Sequence, residues 1–149
     1  MIGNEERRQL LIAQHDHLRL LISAVRSAAG IVLAADEGQT DPGVQTLRRA
    51  LRELELQFAG HLATEESILA PTVSRADMRR SIGLELMRAE HARQRAMLSA
   101  LRAEDTPPYA LARRAASLAK SLLADIAAED RDFVNLLCDD SAYLNQNGA

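Results

Sequence analysis

Cysteine and aromatic residues are scarce in this sequence. Its 149 residues include one cysteine, no tryptophan and only 3% aromatic residues. The single cysteine, Cys138, excludes an internal disulfide, and we therefore expect a reducing, cytoplasmic setting. No histidine lies near Cys138 in the sequence to activate its thiol, so we interpret it as a small core residue and not as a nucleophile.

A concentrated basic region and a long apolar run are also missing. The formal net charge is −3, and the arginines are scattered along the chain, which argues against a nucleic-acid partner. No uninterrupted apolar run is long enough to span a bilayer, and the N-terminal residues MIGNEERRQL lack the apolar core of a signal peptide. We expect neither nucleic acid nor a membrane as a partner.

The abundant residues favour helix. Hydrophobic residues make up 47% of the chain and charged residues 26%, which is typical of a single globular domain over residues 1–149. Apolar residues recur at steps of three and four, and these stripes predict four helices, over about residues 4–35, 42–70, 76–104 and 107–138. Short connections between long helices predict an all-α fold, an up-down-up-down antiparallel four-helix bundle.

Capping residues and prolines set the expected helix ends. Asp41 and Thr106 are expected to cap the second and fourth helices, each of which has proline in its first turn. Pro71 is expected to end the second helix. The polar residues 140–149 indicate a disordered tail.

Each predicted apolar stripe is interrupted in mid-helix by ionisable residues. They are His15 in the first helix, His61 and Glu65 in the second, His91 in the third, and Asp125 and Glu129 in the fourth. Counted from the helix connections, all six lie at a similar level of the antiparallel bundle, to within about a turn or two. Buried groups of this kind cost free energy unless they are paired or bound to a metal, so the six predict one shared polar site.

Three imidazoles and three carboxylates form a donor set that suits iron, manganese or zinc and does not suit copper(I). Residues four apart share a helix face, so Glu65 and Glu129 can bridge two ions while the neighbouring ligand binds one of them. Open positions then remain for water or a diatomic ligand. The alternative is six ordinary hydrogen-bonded core residues, and the common level of all six favours the metal site.

Several residues beside the candidate ligands have two interpretations. Glu66, Glu90 and Asp130 either accept hydrogen bonds from ligating imidazoles or lie in solvent. Arg19 either pairs with a carboxylate near the site or lies at the surface. Phe58, about one turn from a candidate ligand, is expected in the core.

Four short motifs resemble those of the hemerythrin-like (HHE cation-binding) domain family. They are QHDHLRLL around His15, HLATEESILAP from His61, EHARQRAML around His91, and DIAAEDRDF, which matches through Glu129. The resemblance covers the chain from residue 8 to residue 138, and the order and spacing of the motifs together make it specific.

The resemblance implies a four-helix bundle that holds two non-haem iron ions bridged by carboxylates. Members of the family bind oxygen, nitric oxide or peroxide and serve in sensing, scavenging or the repair of iron centres. Ligand type alone leaves manganese or zinc open in place of iron. Whether this chain is an enzyme also stays open.

Two positions depart from the family's pattern. Arg95 stands where oxygen carriers of the family have a second histidine, which disfavours a reversible oxygen carrier. Asp125 stands where the fourth motif has a histidine, and this leaves a mononuclear site, or a helical interaction module with a lapsed metal site, as alternatives. Outward apolar residues such as Leu10 and Leu21 leave a homodimer open.

Overall fold

Four α-helices form the bundle in the computed structural model, which describes residues 3–36, 38, 41–69, 78–103 and 105–134. The helices are α1 (Asn4–Ala34), α2 (Asp41–Leu69), α3 (Met78–Ala103) and α4 (Pro108–Glu129), and a π-helical segment (Asp130–Val134) follows α4 directly. These described residues contain no strand. The predicted all-α four-helix bundle is confirmed, and the helix boundaries agree with the sequence pattern to within about two residues, except at the end of the fourth helix.

The contacts between α1 and α4 and between α2 and α3 show that the two helices of each pair run in opposite directions. The hydroxyl of Tyr109, at the start of α4, donates to the carbonyl of Ala35, just past the end of α1, at 2.5 Å. At the other end of the same pair, His15 of α1 contacts Asp130. Helices α2 and α3 are also antiparallel, because the earlier residue on α2 pairs with the later residue on α3 in two ion pairs, Glu55–Arg102 and Glu66–Arg88. These pairings bring His15, in the first half of α1, to the level of the C-terminal end of α4.

The apolar core occupies the half of the bundle that contains the α1–α2 connection. Its buried residues come mainly from α1, α2 and α4, while α3 adds only Leu98 and Leu101 to the cluster. Burying one leucine fully stabilises the fold by about 1.5–3 kcal/mol relative to leaving it exposed, so this cluster fixes the relative position of the three helices. Among the described residues α3 packs less closely against its neighbours than α1 does.

Two expected helix ends differ from the structure. The residue that precedes the first turn of α4 is Pro107, not Thr106, and the Pro107 carbonyl accepts the backbone N–H of Leu111 at 2.9 Å. Proline fixes its own φ near the helical value and has no N–H to satisfy, so it suits a helix start without a side-chain cap. The chain also leaves the α-helical path at Glu129 and continues as a π-helical segment.

Several predictions concern parts of the chain that the structure does not cover. The side chain of Asp41, the residue Pro71, the residue Cys138 and the tail 140–149 all lie outside the described residues. Their expected roles therefore stay predictions.

Helix α1 is long and apolar enough to cross a membrane if length and composition alone are considered. Core helices pass the same test, and the stripe of α1 from Leu11 to Val32 is buried in this bundle. Of the two outward residues named in the sequence, Leu10 is 38% exposed, whereas Leu21 packs against the core.

Candidate metal centre

Four ionisable side chains from three helices converge in the interior of the bundle. One ligand atom each from His15, His61, Glu65 and Glu129 lies within 4.8 Å of the others. All four residues are buried, with exposures between 1% and 6%. Two carboxylates and two imidazoles at this depth cost free energy unless a cation or a set of protons compensates their charge.

The two histidines face each other across the centre of this cluster. His15 Nε2 lies 3.2 Å from His61 Nε2 and 3.3 Å from Glu129 Oε2. On the α2 side, His61 Nε2 lies 2.5 Å from Glu65 Oε2. Two nitrogen ligands about 2.1 Å from one ion, at a right angle, are separated by roughly 3 Å, so the spacing of the nitrogens suits a shared ion.

The outer nitrogen of each ring has its own partner, and this aims the inner nitrogen at the centre. His15 Nδ1 donates to Asp130 Oδ1 at 2.6 Å, and His61 Nδ1 donates to Gln14 Oε1 at 2.9 Å. Arg19 holds Asp130 from outside with a 2.5 Å contact to Oδ2. Metal-binding histidines are commonly oriented in this way, with the second ring nitrogen donating to a carboxylate or an amide oxygen.

Glu65 gives the clearest sign that the cluster fits a cation. Both of its carboxylate oxygens are buried, and neither accepts a hydrogen bond of good geometry from the described residues. An ionised carboxylate left this way is costly, whereas a metal ion takes up the unused lone pairs. The donor set therefore fits an ion held by His15, His61, Glu65 and Glu129.

Without metal, the charges of the cluster balance through protonation of His15. Burial alone lowers the pKa of His15, but the surrounding carboxylates Glu129, Glu65 and Asp130 outweigh it and raise the pKa to about 10. Burial likewise raises the pKa of Glu65, and the imidazoles of His15 and His61 outweigh it and lower that pKa to about 2. A metal ion that binds here must displace the proton from His15.

His91 lies beside the four converging ligands and joins them through Glu129. His91 Nε2 contacts Glu129 Oε1, while the other oxygen of Glu129 faces His15. The His91 ring is buried and packs edge-on against Phe58, with ring centroids 6.0 Å apart. Phe58 is thus a core residue, as expected. Burial lowers the pKa of His91, but the contact with Glu129 raises it overall.

Asp125, the sixth predicted ligand, does not lie among the four converging residues. It accepts a hydrogen bond from the side-chain nitrogen of Gln94 and is half-buried. Burial raises the pKa of Asp125, and the nearby carboxylates Glu90 and Glu129 act in the same direction. The structure thus brings four of the six predicted ligands together, places His91 next to them, and keeps Asp125 apart.

The three neighbouring carboxylates differ in what they contact. Asp130 accepts a hydrogen bond from the ring of His15, which is one of the two roles that the sequence left open for it. Arg19 pairs with Asp130. By contrast, Glu66 pairs with Arg88 at 3.2 Å, and Glu90 pairs with an arginine of its own helix. Neither of these two glutamates contacts a candidate ligand ring through a hydrogen bond among the described contacts.

Sequence analysis missed two glutamines that contact the site. Gln94 occupies a position in the apolar stripe of α3, which is a usable signal, because a fully buried glutamine needs partners. Gln14 carries no such signal, since only its side-chain direction brings it to His61.

Three cavities reach the candidate ligands from outside. One of about 410 Å³ lies between α1 and α2 and is lined by His61 among others, and the other two lie along α3. The larger, about 710 Å³, lies between α2 and α3 and is lined by Glu65 and His91 together with apolar residues such as Leu62 and Met87. The smaller, about 220 Å³, lies between α3 and α4 and is lined by His91, Asp125 and Glu129 among others. A small molecule therefore has a route to the centre along α3.

The chain matches the family model of the hemerythrin HHE cation-binding domain over residues 8–137, and it belongs to this family. The match covers α2, α3, α4 and all but the first residues of α1, and it includes every candidate ligand described above. No curated protein and no solved structure matches the chain significantly.

Proposed function

We propose that this chain holds a carboxylate-bridged pair of non-haem iron ions and binds oxygen, nitric oxide or peroxide at them. Such a protein serves in sensing, scavenging or the repair of iron centres, and we place it in the cytoplasm. One observation carries the proposal: four buried side chains converge, those of His15, His61, Glu65 and Glu129. Within this cluster, the two carboxylate oxygens of Glu65 have no hydrogen-bond donor of good geometry among the described residues.

Some side chains of this site would bind the ions, and others would orient the side chains that bind. His15, His61, Glu65 and Glu129 would hold one ion, and the second oxygen of Glu129 together with His91 would contribute to the other. Asp130 and Gln14 fix the two imidazole rings, so that little reorganisation is needed on binding. Bound iron would supply Lewis acidity and a change of oxidation state.

Access to the centre favours small ligands that arrive through the α2–α3 cavity. Its inner wall contains Glu65 and His91, and its lining combines apolar residues such as Leu62 with the charged Arg88 and Arg95. Apolar walls suit uncharged diatomic molecules, which lose little hydration on entry. The apolar part of this lining supports oxygen or nitric oxide as a ligand.

The first experiment compares iron loading in two glutamate variants. Metal-free protein is titrated with ferrous iron without air, its iron content is measured by elemental analysis, and its spectrum is recorded after exposure to oxygen or nitric oxide. We expect close to two irons per chain and new near-ultraviolet absorption in the unmodified chain. Glu65→Gln should weaken iron binding by at least about tenfold, because it removes the charge of a buried ligand.

Glu66→Gln is the matched control for this experiment. Glu66 is the adjacent residue, is exposed, and pairs with Arg88 rather than with a ligand, so its variant should load iron normally. Binding should also raise the melting temperature, since a ligand at 100 times its Kd stabilises a fold by about 2.7 kcal/mol. A chain that stays free of iron, colourless and unchanged in melting temperature would contradict the proposal.

A mononuclear centre is the second candidate, and one observation favours it. Asp125 is bonded to Gln94 and does not lie among the four converging ligands, so these four suffice for one ion. In that case the titration ends at one iron per chain.

A further inference from the structure

The candidate ligands form two groups that differ in how complete they are. The first group, His15, His61, Glu65 and Glu129, is buried and mutually close. The second group consists of His91, the other oxygen of Glu129, and Asp125, of which only the first two touch. The missing member of the second group is therefore the carboxylate of Asp125.

Gln94 holds that carboxylate. Its side-chain nitrogen donates to Asp125 Oδ2, and it also lies 3.4 Å from Glu90 Oε1. Gln94 is 0% exposed, so it cannot easily turn towards water to release Asp125. A hydrogen bond to an ionised carboxylate is stronger than one between neutral groups. Gln94 therefore competes with a metal ion for the carboxylate of Asp125.

The oxygen of Gln94 provides a second, independent observation. Gln94 Oε1 is buried and accepts no hydrogen bond from the described residues. A buried acceptor without a donor is unfavourable, so a role limited to packing does not explain a glutamine at this position. The contact of the Gln94 nitrogen with the Asp125 carboxylate gives the glutamine a role at this position.

The cavity between α3 and α4 gives a cation a route to the second group. It measures about 220 Å³, and four carboxylates line it together with His91; they are Glu90, Asp125, Glu129 and Asp132. This lining attracts cations electrostatically. The second group is therefore accessible to cations from the α3–α4 side.

We propose that Gln94 is a positioning residue that holds Asp125 away from the centre, so that this chain binds one metal ion tightly and a second weakly. The tight ion is held by His15, His61, Glu65 and Glu129. The weak ion enters from the α3–α4 cavity and binds when Asp125 leaves Gln94 and joins His91 and Glu129. This inference rests on the proposed metal-binding function.

The test is a titration of metal-free protein with manganese(II), which is stable in air, followed by calorimetry and by the electron paramagnetic resonance signal of free manganese. We expect one tight and one weak binding event in the unmodified chain. Gln94→Leu should strengthen the weak event by about tenfold or more, because the competing hydrogen bond to a charged group is lost. It should leave the tight event unchanged.

Two further variants make the result specific to the contact between Gln94 and Asp125. Asp125→Ala should abolish the weak event and keep the tight one, and adding Gln94→Leu to it should restore nothing. Gln9→Leu is the control, because the exposed Gln9 bonds Glu5 near the start of α1 and not a candidate ligand. Circular dichroism of each metal-free variant establishes that it is folded before the titration.

The outcomes separate this inference from the proposed function. If the unmodified chain binds no manganese and no iron, the proposed function itself is wrong. If it binds two ions with equal affinity, or if Gln94→Leu leaves the weak event unchanged, the role of Gln94 is overturned while metal binding stands. If the unmodified chain binds one ion and Gln94→Leu binds two, the role of Gln94 is supported.

Discussion

Both ring nitrogens of His15 have a partner. Nε2 contacts His61 in the centre of the cluster, and Nδ1 donates a hydrogen bond to Asp130. Asp130 is itself fixed by Arg19, so a chain of three charged or titratable groups runs from the surface to the centre. At the scale of single residues, the orientation of one ligand thus depends on a carboxylate that belongs to the π-helical segment.

Removal of Asp130 should therefore weaken the tight metal site without removing a ligand. We expect Asp130→Ala to lower manganese affinity by about 10–100-fold, the usual effect of losing the carboxylate behind a ligating histidine. Asp130→Asn keeps an acceptor for His15 Nδ1 and should recover much of the loss.

Asp132→Ala is the control for the Asp130 variants. Asp132 is exposed, lies in the same π-helical segment, and contacts Arg131 instead of a ligand. An equal loss in the Asp130 and Asp132 variants would indicate that bulk negative charge, not the orientation of His15, matters.

At the scale of the helices, the glycines show where the structure leaves room. A methyl group at Gly30 or Gly60 would meet no atom within 4 Å, whereas one at Gly43 would lie 3.2 Å from Val32 Cγ2. None of the described glycines has a positive φ. Glycine in a helix interior costs about 0.5–1 kcal/mol relative to alanine, so Gly30 and Gly60 are destabilising without a geometric reason.

We expect Gly30→Ala and Gly60→Ala to raise the melting temperature of the metal-free chain by about 1–4 °C each. Gly60→Ala should do so without changing metal affinity, although it lies next to His61. Gly43→Ala is the comparison, and its gain should be smaller or absent, because Val32 must move. A loss of stability in Gly60→Ala would show that α2 is packed more tightly near the site than the structure indicates.

The helices and the convergence of four candidate ligands were predictable because both depend on periodicity. An apolar stripe fixes which face of a helix is buried, and His15, His61, Glu65 and Glu129 all lie on those faces. Periodicity gives no side-chain torsion angles, and these decide that Asp125 turns to Gln94 and that Gln14 reaches His61. The change to π-helical geometry after Glu129 has no periodic signal at all.

At the scale of the whole molecule, the buried charges make stability depend on pH. In the metal-free fold the pKa of His15 is about 10, above its ordinary value of 6.5, because the surrounding carboxylates outweigh the effect of burial. The stabilisation from this group is complete below pH 6.5 and is lost as the pH rises through 10. The pKa of Glu65 is lowered from 4.5 to about 2, so its contribution is present above pH 4.5 and is lost as the pH falls through 2.

We therefore expect the metal-free chain to be most stable between about pH 4.5 and 6.5 and to lose stability steadily between pH 6.5 and 10. Urea unfolding at several pH values measures this slope. His15→Gln should reduce the alkaline part of it, and the part that remains should come from His91, whose pKa is also raised. A metal-free chain whose stability is flat from pH 6.5 to 10 would contradict the charge balance described for the cluster.

The loose packing of α3 has a consequence for the molecule as a whole. The tight ligand group comes from α1, α2 and α4 alone, and these helices also supply most of the apolar core. Three helices thus supply all four candidate ligands of the proposed tight ion, and α3 contributes His91 and Gln94, which lie outside that group. Under the proposed binding of a tight and a weak ion, changes confined to α3 should alter the weak ion and spare the tight one, so that α3 is the helix in which to engineer a different chemistry.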